Sequence, residues 1–505
     1  MNDKVKKKRL VSLNLEEMEQ NYGKIMSGEI DADNLKSYLK KKKNDDEKKT
    51  HVDTSRSRTI NKDTWVSSRS EVVRKKDNRS NASQEMKQFK SGKEASNRND
   101  KYIKNGKSTT SRNDKQAGKN TQKKNVEGKP CIYERKCGGC SCNDIPYNRQ
   151  LQDKQKKLEK LLNEFCSVKP IIGMDNPYHY RNKVHAVVSH SKGNIITGVY
   201  KAGTHIVIPV DHCLIEDIKA DEIIASIRTL MKSFKMKAYD EDNGFGLLRH
   251  ILIKRGFASG EIMVVLVTSS PIFPSKNNFV KALRKLHPDI TTIIQNVNDK
   301  STSMVLGEQE KVMYGKGYIE DSLCGYVFRI SSKSFYQVNP VQTEVLYNKA
   351  IELAKLTGKE TIIDAYCGIG TIGIVASKAC KEVIGVELNK DAVRDAISNA
   401  KRNNVTNVDF YNSDSSEFMM KLASQGKKVD VVLLDPPRSG STEQFIDAVS
   451  VLAPSRVVYI SCNPETLARD LKYFKKKGYK AEVAYGVDMF PFTEHVETVV
   501  RIERK

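Results

Sequence analysis

The 505-residue chain has little of what membrane or secreted proteins need. Hydrophobic residues make up only 38% of it, and no apolar run approaches the ~18 residues of a membrane-spanning helix. The basic start, MNDKVKKKRL, has no apolar stretch behind it, so we expect no secretion signal and a cytoplasmic protein. The chain also has fewer acidic than basic residues, with 62 Asp and Glu against 86 Lys and Arg. The net charge of +24 predicts a polyanionic partner, most often nucleic acid, and nothing indicates an obligate protein partner.

Residues 1–128 lack the apolar clusters that a folded core requires. This stretch holds 33 Lys and Arg and 19 Asp and Glu, which gives +14 of the total charge. Such a composition cannot bury enough surface to offset chain entropy, so the sequence predicts a disordered basic tail. The tail is either an arm that adds salt-sensitive affinity for phosphates or a solvated extension without a defined role.

Ten cysteines in a chain expected to stay in the cytoplasm indicate metal, cluster or catalytic thiols more readily than disulfides. A segment over 129–170 contains Cys131, Cys137 and Cys140 at the spacing C-x5-C-x2-C. Gly138 and Gly139 allow the backbone to fold tightly around a ligand. Thiolates so spaced bind zinc or an iron–sulfur cluster, and the spacing alone does not decide between them.

A fourth ligand is needed, and the candidates are Cys142, Cys166 and Cys213. Cys142 would be cramped beside Cys140, and Cys166 ends an amphipathic helix. Cys213 follows a strand and a turn in VIPVDHCLIED, so we expect it to complete the set.

Residues 171–335 show mostly period-two hydrophobicity broken by Gly, Asn and Asp turns, with two helical stretches. This pattern predicts an α+β domain with an antiparallel sheet that binds RNA. The exposed polar face of any sheet has a similar composition, so each RNA-facing candidate is weak by itself. The basic and aromatic candidates are Tyr178, Tyr180, Arg181, Lys183, Arg249, His250 and Lys254.

Residues 336–505 alternate strands with helices, which predicts a doubly wound, Rossmann-like parallel sheet. The two final strands suggest an antiparallel hairpin at the edge of this sheet. The chain as a whole is therefore expected to be an α/β protein with an α+β central domain.

The stretch DAYCGIG is a strand followed by a glycine turn and a helix, and Glu387 ends the next strand. A carboxylate there can hold both hydroxyls of a ribose, whether of NAD or of S-adenosylmethionine (SAM). The turn lacks the third glycine that packs against a pyrophosphate, and Asp364 precedes it, so SAM is favoured. Asp435, in LLDPPRSG at the same edge, can bond a flat nitrogenous ring.

The stretch VVYISCNP reads as a buried strand that stops abruptly, and it places Cys462 at the carboxyl end next to a helix N-terminus. A lone cysteine is more often a small core residue, but a helix N-terminus is expected to lower a thiol pKa. A thiolate near a methyl donor suggests attack on carbon 6 of a pyrimidine, which makes carbon 5 nucleophilic. Glu497 lies between apolar residues that would raise its pKa, so it is the candidate base for the carbon 5 proton.

Taken together, these residues resemble the bacterial RNA (uracil-5-)-methyltransferase family over about 130–505. The motifs that carry the resemblance are C-x5-CGGC, SFYQVN, DAYCGIG, GVEL, LLDPPRSG, ISCNP and EHVET. The resemblance implies Cys462 as nucleophile and Glu497 as general base. It also implies a [4Fe–4S] cluster held by Cys131, Cys137, Cys140 and Cys213, and SAM contacts from Gln337, Tyr366, Glu387 and Asp435.

The resemblance implies 5-methyluridine in 23S ribosomal RNA or in the T-loop of transfer RNA as product. The iron–sulfur motif favours 23S rRNA, because transfer-RNA enzymes of this kind usually lack it, and the target base is expected to flip out of its stack. Many members begin with a small RNA-binding β-barrel, which the basic tail here does not resemble. Three alternatives stay open: a cytosine-5 RNA methyltransferase, a non-catalytic RNA-binding protein and an iron–sulfur redox protein.

Overall fold

The computed structural model describes residues 131–134, 136–300 and 304–505. The predicted basic tail over 1–128 lies outside the described residues. The described residues all belong to one compact unit. Within the described part of the chain, none of the helices has the length and apolar character needed to cross a membrane.

The structure contains the following elements in chain order. The helices are α1 Tyr147–Leu162, α2 Ile218–Ser233, α3 Lys276–Leu286, α4 Pro340–Ala354, α5 Thr371–Ala376, α6 Lys390–Arg402, α7 Ser415–Ser424, α8 Glu443–Leu452 and α9 Pro464–Lys476. The strands are β1 Ser167–Ile172, β2 Lys183–Ser191, β3 Asn194–Tyr200, β4 Val207–Pro209, β5 Leu248–Arg255, β6 Ile262–Thr268, β7 Ile290–Val297, β8 Gln309–Tyr314, β9 Ile319–Leu323, β10 Tyr326–Ile330, β11 Thr361–Ala365, β12 Glu382–Glu387, β13 Val408–Asn412, β14 Val431–Leu434, β15 Arg456–Ser461, β16 Tyr479–Val487 and β17 Glu497–Arg504.

The C-terminal sheet has the strand order β1-β16-β17-β15-β14-β11-β12-β13. Strands β11 to β15 pair in parallel, which confirms the predicted parallel sheet. The chain winds away from β11 in both directions, and ligands of such sheets bind at the carboxyl ends of the strands beside this point.

The expected edge hairpin is wrong in one respect. Strand β17 lies between β15 and β16 and pairs antiparallel with both, so it is an interior strand. Its residues ETVV are buried, as strands covered on both faces require. Strand β1, from the cysteine-containing segment, pairs with β16 and forms the edge instead.

The central sheet has the order β4-β3-β2-β5-β6-β7-β8, with a separate β9–β10 hairpin. Its pairs are antiparallel except β6–β7, which is parallel because α3 crosses over between these two strands. The sheet is therefore mixed, where the sequence predicted an antiparallel one. One hydrophobic cluster contains both Val265 of β6 and Leu433 of β14, so the two sheets share a core.

Helix α1 is tied to the loop between β16 and β17 by a buried ion pair. Lys154 Nζ lies 2.6 Å from Asp488 Oδ1, and the two side chains are 4% and 0% exposed. Lys154 Nζ also donates to the carbonyl of Phe490 at 3.1 Å. The pair therefore fixes the path of the chain just before β17.

We expect Lys154→Met to lower the free energy of unfolding by about 3–5 kcal/mol, because it leaves a buried carboxylate without its partner. Denaturant titration measures this loss. Arg149→Ala is the matched control on the same helix, since the Arg149–Asp153 pair is exposed and is worth at most about 1 kcal/mol. Equal losses in the two variants would contradict the assigned role of the buried pair.

Candidate active site

Four of the predicted site residues meet at one edge of the C-terminal sheet. Glu387 ends β12, Asp435 follows β14 and Cys462 follows β15, and these parallel strands end side by side. Strand β17 runs antiparallel to β15, with Thr498 opposite Ser461. The first residue of β17, Glu497, therefore lies at the same edge as the last residues of its neighbours.

The glycine turn between β11 and α5 holds the carboxylate of Glu387. The backbone amide of Gly368 donates to Glu387 Oε2 at 3.0 Å, and that of Asn389 donates to Oε1 at 2.8 Å. Gly370 has φ +81°, and a Cβ there would stand 2.7 Å from the Phe410 ring. Only glycine fits this position without a clash, so Gly370 is needed for the shape of the turn. The turn in this shape holds Glu387 in its orientation through the amide of Gly368.

Asp364 is buried beneath the turn, where its Oδ2 accepts a hydrogen bond from the amide of Gly373 at 2.8 Å. Burial, with repulsion from Asp435 and Glu387, raises the pKa of Asp364 to about 7. Three carboxylates thus interact around one crevice. Their mutual repulsion favours a ligand that carries positive charge, and the sulfonium and ammonium groups of SAM meet this requirement.

The other two predicted SAM contacts lie in different surroundings. Tyr366 has φ +63° within the turn, and its ring packs against Phe445 of α8 with centroids 5.4 Å apart. The backbone of Tyr366 is therefore part of the turn, while its ring faces the helix layer. Gln337 is buried in the loop between β10 and α4.

This β10–α4 loop is held from two sides. Lys254 Nζ donates to the carbonyls of Ser331 and Ser334, both at 2.8 Å. The hydroxyl of Ser334 donates to Asp395 of α6, the helix that follows Glu387. Lys254 was predicted as an RNA-facing residue, but it is buried and its ammonium group is occupied by these carbonyls, so that prediction is wrong.

Cys462 is half-buried, and burial raises the pKa of its thiol to about 12. The carboxylates of Glu497 and Asp435 contribute to this shift. The expectation that the helix N-terminus lowers this pKa is therefore wrong in direction. The side chain of Asn463 accepts from the amide of Glu465 at 3.1 Å and so caps α9 itself.

Burial also raises the pKa of Glu497, which is 4% exposed, and repulsion from Asp435 adds to the shift. This confirms the direction expected from its apolar neighbours. The exposed Arg438 lowers the pKa of both Cys462 and Glu497. Sequence reasoning did not single out Arg438, although a cation directly after the two prolines of LLDPPRSG was the available signal.

The cysteine segment forms a second cluster. Electrostatic interaction links Cys131, Cys137 and Cys140, and it also links Cys140 with Cys213. Each of these four cysteines is a thiol and not part of a disulfide. Among the described residues, however, no group of three or more His, Cys, Asp or Glu side chains is arranged to hold a metal ion.

The doubly wound sheet, with interacting carboxylates at the carboxyl ends of its strands, has the fold of a SAM-dependent methyltransferase. A family model for tRNA (uracil-5-)-methyltransferase matches residues 146–505, and the chain belongs to this family. It is therefore an RNA methyltransferase, with RNA as substrate and SAM as methyl donor.

Relatives and a solved structure agree with this assignment. An uncharacterized RNA methyltransferase of Halalkalibacterium halodurans is 41% identical over 381 residues, which cover 74% of this chain and 83% of the relative. Another, from Caldanaerobacter subterraneus, is 42% identical over 378 residues, covering 74% and 84%. The Pyrococcus abyssi tRNA (uracil-54, C5)-methyltransferase, solved with S-adenosyl-L-homocysteine, matches with a TM-score of 0.62 and 28% identity over 72% of this chain and 86% of that one.

Proposed function

We propose that this enzyme methylates carbon 5 of a uridine in 23S rRNA through a covalent bond between Cys462 and the uracil. One observation carries the proposal. Cys462 and Glu497 stand on neighbouring strands at the edge of the sheet that holds the SAM crevice, close enough for the carboxylate to raise the pKa of the thiol.

The first step joins Cys462 Sγ to carbon 6 of the uracil. The thiol proton leaves to solvent, and the electron pair of the C5–C6 double bond shifts toward carbon 5 and the O4 carbonyl. Bound SAM would supply the methyl group from its positively charged sulfur. Carbon 5 would use that electron pair to bond the methyl group, the sulfur–methyl bond would break, and S-adenosyl-L-homocysteine would leave. Glu497 then accepts the carbon 5 proton, the double bond re-forms, and the sulfur of Cys462 leaves as thiolate.

The target base must leave its stack to reach Cys462. Phe335 lies two residues before Gln337, and its ring is 65% exposed. An exposed aromatic ring offers a surface on which an extruded base can stack, and the neighbouring Ser334 ties this loop to Asp395 of α6. We therefore assign Phe335 to RNA contact.

The pH dependence of the reaction follows from these groups. The thiol and Glu497 both react in their deprotonated forms and both have raised pKa values, so the rate should rise with pH from neutral into the alkaline range. Arg438→Gln removes the cation that lowers both values. We expect it to shift the rise to higher pH and to reduce kcat/KM at pH 7 about tenfold for each unit of pKa.

Measuring kcat/KM across neutral and alkaline pH tests this prediction. Arg438→Lys is the matched control, because it keeps the charge and should keep most of the wild-type profile. An unchanged profile in Arg438→Gln would contradict the assigned role of the guanidinium group.

We further propose that Cys131, Cys137, Cys140 and Cys213 hold a [4Fe–4S] cluster. Three interacting, half-buried thiols, with Cys213 linked to them through Cys140, are the donor set that such a cluster takes. The thiols would have to turn toward one another, since they do not form a metal shell as placed. A bound cluster would join the segment before α1 to the loop between β4 and α2.

Iron and sulfide analysis of anaerobically purified protein tests the cluster. Wild type should contain both in stoichiometric amounts, and Cys213→Ser should lose them. Cys166→Ser serves as control, because Cys166 is buried between α1 and β1 in a different hydrophobic cluster from the one that Cys140 and Cys213 contact. If the protein contained stoichiometric zinc and no sulfide, the cluster proposal would be wrong and the cysteines would form a zinc site.

The RNA target is tested with purified enzyme, tritiated SAM and two unmodified transcripts, 23S rRNA and transfer RNA. The proposal predicts labelled 5-methyluridine in the 23S transcript and none in transfer RNA. The iron–sulfur motif supports this choice, whereas the Pyrococcus abyssi enzyme is named for transfer RNA. Label confined to transfer RNA would overturn the substrate, and labelled 5-methylcytidine would overturn the reaction.

A further inference from the structure

Phe492 has an unusual conformation in the loop that leads into β17. It is 6% exposed and has φ +65°, a left-handed backbone conformation that non-glycine residues rarely adopt. A buried aromatic residue holds such a conformation only where its surroundings impose it. Phe492 lies five residues before Glu497, the proposed general base.

The backbone of Phe492 is held by the cysteine-containing part of the chain. Its carbonyl accepts from the amides of Ser141 and Cys142, both at 3.1 Å. Its amide donates to Gln150 Oε1 of α1 at 2.8 Å. The residues that follow Cys140 thus bind the loop directly through the main chain.

The ring of Phe492 belongs to a small hydrophobic cluster beside the cysteines. Tyr180 and Ile215 complete the cluster, and Cys140 and Cys213 pack against it. The Tyr178 ring lies 5.2 Å from the Phe492 ring. Two proposed cluster ligands from distant parts of the sequence therefore pack against the hydrophobic cluster that contains Phe492.

The loop has little freedom between Phe492 and Glu497. The amide of Glu494 donates to Ser141 Oγ at 3.1 Å, and Val496 is fully buried. Glu497 itself is enclosed at the start of an interior strand. A movement of the segment over 140–142 would therefore shift the carboxylate of Glu497 relative to Cys462.

We propose that Phe492 is a positioning residue that couples the four-cysteine site to Glu497. We call the cysteine segment closed when residues 140–142 keep their hydrogen bonds to the loop of Phe492. The closed segment holds Phe492 in its strained conformation, and this places the carboxylate of Glu497 for removal of the carbon 5 proton. By linkage, the correctly placed loop favours the closed segment by the same free energy. This inference rests on the proposed function, because it assigns the proton removal to Glu497.

The test separates loss of the base from loss of the fold. Enzyme, RNA and SAM are mixed and quenched in detergent, and the covalent protein–RNA adduct is measured against released methylated RNA. If proton removal fails, the adduct cannot break down and accumulates. Phe492→Ala should raise the adduct-to-product ratio at least tenfold and lower kcat while changing KM little.

Four other variants complete the comparison. Glu497→Gln should accumulate adduct by direct loss of the base, and Cys213→Ser should do so through the loop. Phe279→Ala removes an equally buried ring from α3 of the central domain, so it should keep the wild-type ratio in its folded fraction. The double variant Phe492→Ala/Cys213→Ser should be no worse than the more severe single variant.

The outcomes distinguish the two proposals. A wild-type ratio in Phe492→Ala, with adduct in Glu497→Gln, overturns the coupling alone. No adduct in Glu497→Gln overturns the assigned base and the coupling with it. If Phe492→Ala does not fold, Phe492→Leu takes its place.

Amide hydrogen exchange gives a readout without turnover. In Cys213→Ser, the amides of Cys142 and Glu494 should exchange at least tenfold faster than in wild type, because the contacts that protect them open. Unchanged exchange at both amides would overturn the coupling.

Discussion

Cys462→Ala is expected to abolish methyl transfer to RNA while leaving RNA binding intact. Without the sulfur, nothing adds to carbon 6, and carbon 5 of uracil is not nucleophilic enough to take a methyl group. Alanine fits the half-buried position without adding volume or charge. Tritium incorporation from labelled SAM measures the transfer, and a gel-shift titration measures binding.

Cys324→Ser is the control for this substitution. Cys324 lies in the β9–β10 turn and is also half-buried, so the change tests the loss of a thiol away from the sheet edge. It should keep wild-type transfer. If Cys462→Ala transferred methyl groups at more than a trace rate, the covalent mechanism would have to be abandoned. Wild-type protein that binds RNA with no transfer to any transcript would favour a non-catalytic role.

Glu497→Gln should lower turnover by about 10²–10⁴-fold, the usual contribution of a positioned general base. Cys462 can still attack and carbon 5 can still take the methyl group, so the covalent adduct should accumulate. Glutamine keeps the shape of the buried side chain, which separates the chemical effect from a packing defect.

The neighbouring Glu494→Gln provides the comparison, because Glu494 is exposed and contributes its backbone amide to the loop contacts. It should remain close to wild type in rate and adduct level. If Glu497→Gln lost both methylation and adduct, the carboxylate would act before or during the attack of Cys462. Proton removal would then belong to another group.

Much of the C-terminal site follows from local sequence. A short apolar run that ends at a glycine turn, a carboxylate or a proline places its last residue at the carboxyl edge of a parallel sheet. Glu387, Asp435 and Cys462 all obey this rule. The raised pKa of Glu497 was also readable, because burial between apolar neighbours is a local property of VETVV.

Features that depend on distant partners were not readable. Strand β17 is inserted between β15 and β16, and β1, more than 300 residues earlier in the chain, takes the edge position beside β16. The thiol pKa of Cys462 is raised by burial and then by two carboxylates from other strands, Glu497 and Asp435, none of which is readable from its own motif. Lys254 is a basic residue of the kind that contacts RNA, yet it is buried and its ammonium group donates to two backbone carbonyls of a later loop.

The coupling through Phe492 is non-local in the same way. Nothing in the stretch FPFTEHVET marks Phe492 as strained, because its conformation is imposed by Ser141, Cys142 and Gln150. A sequence reading can place Cys140 and Glu497 in separate motifs. Only the packing shows that Phe492, which leads into the strand of Glu497, belongs to the cluster against which Cys140 packs.

The roles assigned to Cys462 and Glu497 both require that a methyl group replaces the hydrogen on carbon 5 of the uracil. RNA transcribed with uridine tritiated at carbon 5 reports it directly, because each methylation must release that tritium to water. We predict one tritium released for each methyl group incorporated, with neither signal in Cys462→Ala. Methyl incorporation without tritium release would place the methyl group on another atom and contradict the account.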